Sequence, residues 1–322
     1  MKILFFTDTH YHDKKPSSRI DDYIKSQYNK TLEIFDIAKK EKVDYIIHGG
    51  DLFDIPNPRV KVVTKYGQLF QKQNIPIYVI SGNHDVYGYN KDSIDSTMLG
   101  LLKDFDIVKL LDKHDSVIIE KENVKVGICP RPYHSRIDSE NKKDYFPERM
   151  DVDHQILVIH SMLMDKPYLK EVEHTTIDQI ISTNCDIVLS GHYHIGFGIV
   201  RKNNKFFINP GSLMRMTNSF DEIKRKPKVV IIELTKNDKK AKEIELKTAL
   251  PGDEVLTRDN KDIKKIQEQE LLEFSQIIRN NLNLKTYNYE KIIKQISEDE
   301  NFSKEVLDQA MEAIDNIRKR RI

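Results

Sequence analysis

Residues 2–10 read Lys2-Ile3-Leu4-Phe5-Phe6-Thr7-Asp8-Thr9-His10. An apolar run suited to a buried strand stops at an aspartate and a histidine spaced i, i+2. At a strand end those two side chains can converge on one point as the chain leaves the sheet. The same pattern recurs along the chain, in order. Gly50-Asp51-Leu52-Phe53-Asp54 follows the strand-like run Val43–Ile47, and Gly82-Asn83-His84-Asp85 follows Ile75–Ile80. A lone His160 follows Ile156–Ile159, and Gly191-His192-Tyr193-His194 follows Ile187–Leu189. Hard oxygen ligands mixed with imidazole suit a pair of divalent cations, and a close pair of such cations is a standard device for cleaving phosphate esters.

Between these clusters lie helical stretches. Asp21–Glu41 places Tyr28, Leu32, Phe35 and Ile37 near helical spacing, and Val60–Gln73 and Asp92–Lys103 read as two more helices. Strand and helix therefore alternate over the first hundred residues, which predicts layered α/β structure with a largely parallel sheet there. From about Ser116 short strands dominate: Val117–Ile119, Val124–Ile128, Phe206–Ile208 and Val229–Leu234 join those already named. A further helix is predicted over Thr176–Ser182, and Asn203-Asn204 is a hairpin turn signal. The expectation is two facing sheets flanked by helices. Near Lys236–Gly252 a Lys-rich stretch gives way to Pro251-Gly252, and the chain beyond reads as charged and helical. Residues 1–248 are therefore assigned to a catalytic domain and 249–322 to a small, mainly helical one, with apolar stripes such as Ile263, Ile266, Leu271 and Phe274.

The composition sets bounds. The chain has 322 residues, 39% apolar and 32% charged, the balance of a water-soluble globular protein. A formal net charge of +1 gives no overall field for nucleic acid, so any such surface is local. Cys129 and Cys185 are the only cysteines, too few for a disulfide scaffold or a thiolate metal site, and they suit a reducing compartment. The N-terminal apolar run is too short for a signal peptide, and no run nears the ~20 residues that cross a bilayer. The expected location is the cytoplasm, away from membranes.

The ordered clusters carry the chemistry. Asp8, His10, Asp51, Asn83, His160, His192 and His194 make seven potential metal ligands, enough for two cations with positions left open for water and substrate. A carboxylate such as Asp51 has two oxygens and can bridge the pair. Water held between two cations is substantially hydroxide at neutral pH and can attack phosphorus in line. His84, next to Asn83, is the expected general acid for the leaving oxygen. Asp54 or Asp85 is the carboxylate expected to hold its ring.

In this set of motifs the chain resembles the calcineurin-like metallophosphoesterases, whose pattern is D-x-H, G-D-x-x-D, G-N-H-D/E, a lone H and G-H-x-H. Every element is intact between residues 8 and 194. The resemblance implies a four-layer α/β sandwich of two mixed sheets between helices. It implies a first metal on Asp8, His10, Asp51 and His194, and a second on Asp51, Asn83, His160 and His192. It implies that His84 faces the scissile phosphate and that Asp54 pairs with it as the second catalytic residue. Within the superfamily the chain is most similar to the SbcD-type nucleases, through Gly50–Asp54 followed by Pro56 and Pro58, Ser81–Asp85, and Pro210-Gly211-Ser212. That likeness implies manganese (with magnesium, iron or zinc as alternatives), DNA as substrate, an SbcC-like coiled-coil ATPase partner, and a homodimer formed through the helices at Val60–Gln73 and Asp92–Lys103. Two features depart from the branch. His12 stands where glycine is usual, and the segment after Pro251 reads as all-helical where a mixed α/β cap is usual.

Other polar residues have blander readings. His12 is a loop residue lining the site, and His48 a hydrogen-bonded histidine inside a strand. His134, with Arg131 and Arg136, reads equally as a phosphate contact or an ordinary loop. His114, His154 and His174 read as surface residues. Tyr87 and Tyr89 suit either base stacking or packing. The Arg318-Lys319-Arg320-Arg321 tail is a solvated helix end, and the C-terminal stripes are either intramolecular core or an ATPase docking surface. The reading is thus a metal-dependent DNA nuclease for end processing, repair or recombination. Its rivals are a small-molecule or nucleotide phosphodiesterase and a non-catalytic DNA-end tethering subunit. A protein phosphatase fits the motif context less well.

Overall fold

The computed structural model describes residues 1–111, 116–139, 141–168 and 172–257. The predicted helical domain beyond Thr257, the Arg318–Arg321 tail and His114 lie outside the described residues.

Two six-stranded mixed sheets face each other. The first has the order β14-β13-β1-β2-β3-β4, with β1 Lys2–Phe6, β2 Tyr45–His48, β3 Ile77–Val79, β4 Lys109–Leu110, β13 Lys228–Leu234 and β14 Lys239–Glu245. Strands β1 to β4 run parallel, as the strand–helix alternation predicts, and β13 and β14 add antiparallel. The second sheet has the order β11-β12-β10-β7-β6-β5, with β5 Val117–Lys121, β6 Val124–Arg131, β7 His154–Ser161, β10 Ile187–His192, β11 Gly198–Lys202 and β12 Lys205–Asn209. Its four central strands are parallel and its edges antiparallel. A small pair, β8 Leu163–Met164 and β9 Thr175–Thr176, stands apart.

Strand alternation sorts the core into three layers. Ile3 and Phe5 of β1 point inward and meet Ile128, Ile156, Val158 and Leu189 of the second sheet. Leu4 and Phe6 point outward under helices α1 Tyr23–Lys40, α2 Val60–Gln71 and α3 Met98–Asp104. The buried face of α1 is Tyr23, Gln27, Lys30, Thr31, Ile34, Phe35 and Ala38, a helical stripe, and Asp22 caps its start by accepting the Lys25 amide. On the far side, Leu157, Ile159, Val188 and Phe207 pack against Tyr145, Ile177 and Ile180.

Several local expectations change. The predicted helix 92–103 is a 3₁₀ turn, Lys91–Ser96, followed by α3, because Thr97 breaks the run and caps α3 through the Gly100 amide. The predicted helix 176–182 is a single 3₁₀ turn, Ile177–Ile180, closed by a capping box between Thr176 and Gln179. Asn203 and Asn204 both have positive φ (48° and 58°) and turn β11 into β12, the backbone that a tight hairpin needs. After α4 Phe220–Lys224, the short α5 Gly252–Val255 packs on the first sheet's flank: the Ile20 amide donates to Val255 O, and Leu256 is buried. Residues 249–257, assigned by sequence to the terminal domain, thus continue the packed layers. No helix among the described residues is long and apolar enough to cross a membrane.

Candidate metal centre and active site

The parallel strands of both sheets end on one side, and every predicted cluster sits there. Asp8, His10 and Asp51, just past β1 and β2, have left-handed backbone (φ 51°, 43° and 53°), as does His192 at the end of β10 (φ 78°). Each such non-glycine residue costs roughly 1–3 kcal/mol and persists only where its surroundings fix it. Here they do: the Asp8 amide donates to Gly50 O and the His10 amide to Asp51 O, both at 3.1 Å. Gly50, at φ 102°, turns β2 into the site, and a Cβ there would lie 2.4 Å from His160 Nδ1. These bonds aim the side chains inward instead of along the strands.

Two ligand sets result. Asp8, His10, Asp51 and His194 bring one potential ligand atom each to within 4.8 Å of one another, and so do Asp51, His160 and His192. Asn83 belongs with the second set, its Oδ1 lying 3.2 Å from His160 Nε2. Asp51 is common to both: its Oδ2 lies 3.7 Å from His10 Nε2 and 3.2 Å from His160 Nε2. All seven candidate ligands lie together, in two groups that share Asp51.

The donor set fits divalent cations. Among the described residues, Asp51 Oδ2 is buried with no hydrogen-bond partner, and His10 Nε2 faces His194 Nε2 at 3.0 Å. Buried polar atoms are rarely left so unless an ion or water completes them. The electrostatics agree. Burial disfavours charge on His10, yet Asp54, Asp51 and Asp8 raise its pKa to about 9. Burial also opposes charge on His160, and Asp51 and Asp8 raise it to about 9. Each set therefore favours a positive charge in its midst. Burial would lift Asp51, but His160, His84 and His10 hold it well below the usual carboxylate range. Asp8 is raised, by burial and by the charge of Asp51. His192 is pushed down to about 3 by burial and His160, and His194 well down by burial and His10, leaving neutral imidazoles of the kind a metal takes.

His84 stands at the half-exposed mouth. Its amide donates to Asp51 Oδ1 at 2.8 Å, which ties it to the shared carboxylate. Its Nδ1 lies 2.8 Å from the backbone carbonyl of Asp54. A carbonyl only accepts, so Nδ1 carries the hydrogen and Nε2 is the atom left for substrate. The expected brace from a carboxylate is thus supplied by a main-chain oxygen. The Asp54 carboxylate points elsewhere: Oδ1 lies 3.5 Å from His10 Nδ1 and Oδ2 3.6 Å from His12 Nδ1. Asp85, the other predicted partner, is occupied by the amides of Gly82, Phe53 and Leu52 at 2.9, 3.1 and 3.2 Å, and it clamps the two ligand loops together.

The remaining histidines divide. His12 is partly exposed at the rim, as expected of a lining residue. His48 is fully buried beneath the site, with Nε2 3.2 Å from Thr9 Oγ1 and Nδ1 accepting the Gly50 amide. Burial and the neighbouring His160 push its pKa to about 3. His134 has both nitrogens engaged, by Asp144 Oδ2 at 3.1 Å and the Arg136 amide at 3.3 Å, which braces its loop. His154, read as surface, is buried and links β7 to Thr235 O at 2.6 Å. Sequence reasoning missed Tyr133, whose ring lies 5.5 Å from that of His192 and 6.2 Å from that of His160. Tyr89 packs on Tyr133, while Tyr87 is exposed.

Residues 1–237 match the family described as calcineurin-like phosphoesterase superfamily domain. The chain is 28% identical over 238 residues to the DNA double-strand break repair protein Mre11 of Methanocaldococcus jannaschii, covering 70% of this chain and 59% of that protein. It is 30% identical over 205 residues to the protein of the same name from Sulfurisphaera tokodaii, covering 60% and 49%. The matched part is less than two thirds of either relative. Among solved structures, the calcineurin-like phosphoesterase YfkN of Bacillus subtilis aligns at 14% identity with a TM-score of 0.45, over 88% of this chain and 99% of that one.

Proposed function

The chain belongs to the calcineurin-like phosphoesterase superfamily, and on that premise we propose that it is a two-metal DNA nuclease. Its activity is phosphodiester hydrolysis in end processing, repair or recombination. One observation carries the reading: a single carboxylate, Asp51, faces two separate ligand sets, with a half-exposed histidine tied to it. The extension from phosphodiester to DNA draws on relatives named for double-strand break repair. Manganese is the proposed metal. DNA, a second copy of the chain and an SbcC-like ATPase are the proposed partners, and the cytoplasm is the proposed location.

Asp8, His10, Asp51 and His194 would hold one cation, and Asp51, Asn83, His160 and His192 the other. When bound, such a pair polarises the phosphoryl oxygens and lowers the pKa of water. The protein does the rest. Asp51 fixes both sets and, through the His84 amide, their distance from the mouth. The Asp54 carbonyl holds Nδ1–H of His84 so that Nε2 points to the departing oxygen, and with a proton on both ring nitrogens Nε2 can give its own to that oxygen. Asp85 keeps the Asp51 and Asn83 loops in register.

The test is hydrolysis by the purified chain with manganese, on linear duplex, single-stranded and hairpin DNA beside bis-(p-nitrophenyl) phosphate. His84→Ala should retain metal while turnover falls about 10²–10⁴-fold, the usual worth of general acid catalysis. DNA cleavage that survives at the parental rate in His84→Ala overturns the acid assignment. Turnover of the small ester alone, with DNA intact, moves the reading to a small-molecule phosphodiesterase or a nuclease that needs its ATPase.

A further inference from the structure

We propose that Asp54 is a positioning residue for the metal ligand His10, and that His12 fixes Asp54 in that task. This rests on the metal-pair reading above. The chain sets up the contact by running residues 9–12 beside 51–54: Tyr11 bridges to Phe53, and the Tyr11 amide donates to Leu52 O at 2.9 Å. Tyr11 turns away into the core, stacked on Tyr66 at 3.7 Å between ring centres. His10 and His12, on either side of it, both turn toward Asp54.

The two nitrogens of His10 face different neighbours. Nε2 faces the first ligand set, toward His194 and Asp51. Nδ1 is buried, has no hydrogen bond among the described residues, and has Asp54 Oδ1 3.5 Å away. A metal-ligating imidazole ordinarily gives its other N–H to an acceptor, commonly a carboxylate or a backbone carbonyl. That contact fixes the tautomer, leaves the lone pair on the ligating atom and holds the ring in plane. His160 has such a partner in Gly49 O, 2.8 Å from its Nδ1. For His10 the Asp54 carboxylate is the group in place.

The Asp54 carboxylate lies near His84 but makes no hydrogen bond to it among the described residues, and His84 Nδ1 is taken by the Asp54 carbonyl. The other carboxylate oxygen of Asp54 faces His12 Nδ1 at 3.6 Å. His12 is itself anchored: its amide donates to Gln27 Oε1 at 3.4 Å, and the same Gln27 donates through Nε2 to His10 O at 3.1 Å. Gln27 is buried and receives the Tyr66 hydroxyl at 2.7 Å. His12 therefore holds Oδ2 and leaves Oδ1 turned to His10. One residue thus serves two histidines by two routes, the first-metal ligand through its side chain and the mouth histidine through its main chain.

The two routes separate under mutation, since a side-chain change leaves the carbonyl in place. The experiment is a calorimetric titration of the full chain with Mn²⁺ alone. Asp54→Ala should weaken one of the two bound ions by about 10- to 100-fold, the usual cost of losing such a partner, and leave the other near its parental affinity. Asp54→Asn, whose amide oxygen can still accept from His10, should recover part of the loss. His12→Ala should weaken the same ion by a smaller factor, and His84→Ala neither. Should Asp54→Ala fail to fold, Asp54→Asn and His12→Ala read the same quantity. Both Mn²⁺ affinities unchanged in Asp54→Ala overturns the proposal, because the carboxylate then acts on substrate or His84. Equal loss at both ions with a lowered unfolding midpoint also overturns it, since the role is then support of the fold. A parental chain that binds two Mn²⁺ but cleaves no phosphodiester sinks the nuclease reading and leaves these affinities to decide the role of Asp54.

Discussion

The two sheets contribute to the site differently. The first supplies Asp8, His10, Asp51 and Asn83 from three neighbouring strand ends, three of them on left-handed backbone. It brings all the negative charge. The second supplies His160, His192 and His194, and only His192 is strained. It brings neutral or cationic nitrogen. Neither sheet holds a complete ligand set, so the site exists only where the two are locked together. The locks are direct. His160 Nδ1 lies 2.8 Å from Gly49 O, and the His192 amide donates to both Asp8 oxygens at 3.1 and 3.2 Å. The strain of the first sheet is thus held in place partly by the second.

The sharpest way to break that division is at Asp51, the one carboxylate both sets use. Asp51→Asn should lower turnover by about a thousandfold or more, because it removes the charge behind several kcal/mol of metal-ion stabilisation. It should also lower manganese content at both sites. Activity and metal content are measured on the same preparation. Full metal with lost activity means Asp51 is not shared in the way its position suggests.

Next in size is the seam itself. A Cβ at Gly191 would sit 2.4 Å from Thr7 Oγ1, 2.7 Å from Gly49 O and 2.9 Å from Asp8 Oδ2. Gly191→Ala must push the sheets apart, at a cost of roughly 1–3 kcal/mol by the measure of overpacked cores. Chemical denaturation reads that cost. Metal affinity should fall in both sets together, in contrast to the one-ion loss expected on removing the Asp54 side chain. Unchanged stability would mean the seam is softer than its contacts imply.

Legibility in the sequence followed the same division. Candidate ligands are readable wherever an apolar run stops at Asp, Asn or His, because strand ends deliver side chains to one edge. All seven candidate ligands lie together, although His160 has only its order in the chain to recommend it. The partner of His84 was not readable, since a motif spells side chains and the partner is a main-chain oxygen. Strand β14, Lys-Lys-Ala-Lys-Glu-Ile-Glu, was invisible because an exposed edge strand needs no apolar period; its pairs, such as Lys228 with Glu243, are charged. The helix expected over 92–103 failed at Thr97, where a capping side chain outweighed the apolar period. His154 looked like surface because its partner, Thr235 O, lies 81 residues on.

The smallest effect should come from beneath the second sheet's ligands, and it tests whether support there resembles support in the first. The Tyr145 hydroxyl lies within hydrogen-bond distance of both Asp138 Oδ1 and Ser161 Oγ, each at 2.8 Å, and Ser161 follows His160 on β7. Asp138 is otherwise satisfied, accepting the Thr175 hydroxyl at 2.6 Å and the Met162 amide at 2.8 Å. Tyr145→Phe keeps the ring and removes one donor from a group with others in place. Stability should fall by about 1 kcal/mol, the typical net worth of one hydrogen bond. His160 is held instead by Gly49 across the seam, so metal affinity and turnover should stay within about twofold, a difference well under 1.4 kcal/mol. Denaturation and manganese titration of the same variant measure both. A tenfold loss of one manganese without loss of stability would place Tyr145 in the support of His160, and the second sheet would then hold its ligand from behind as Asp54 is proposed to hold His10.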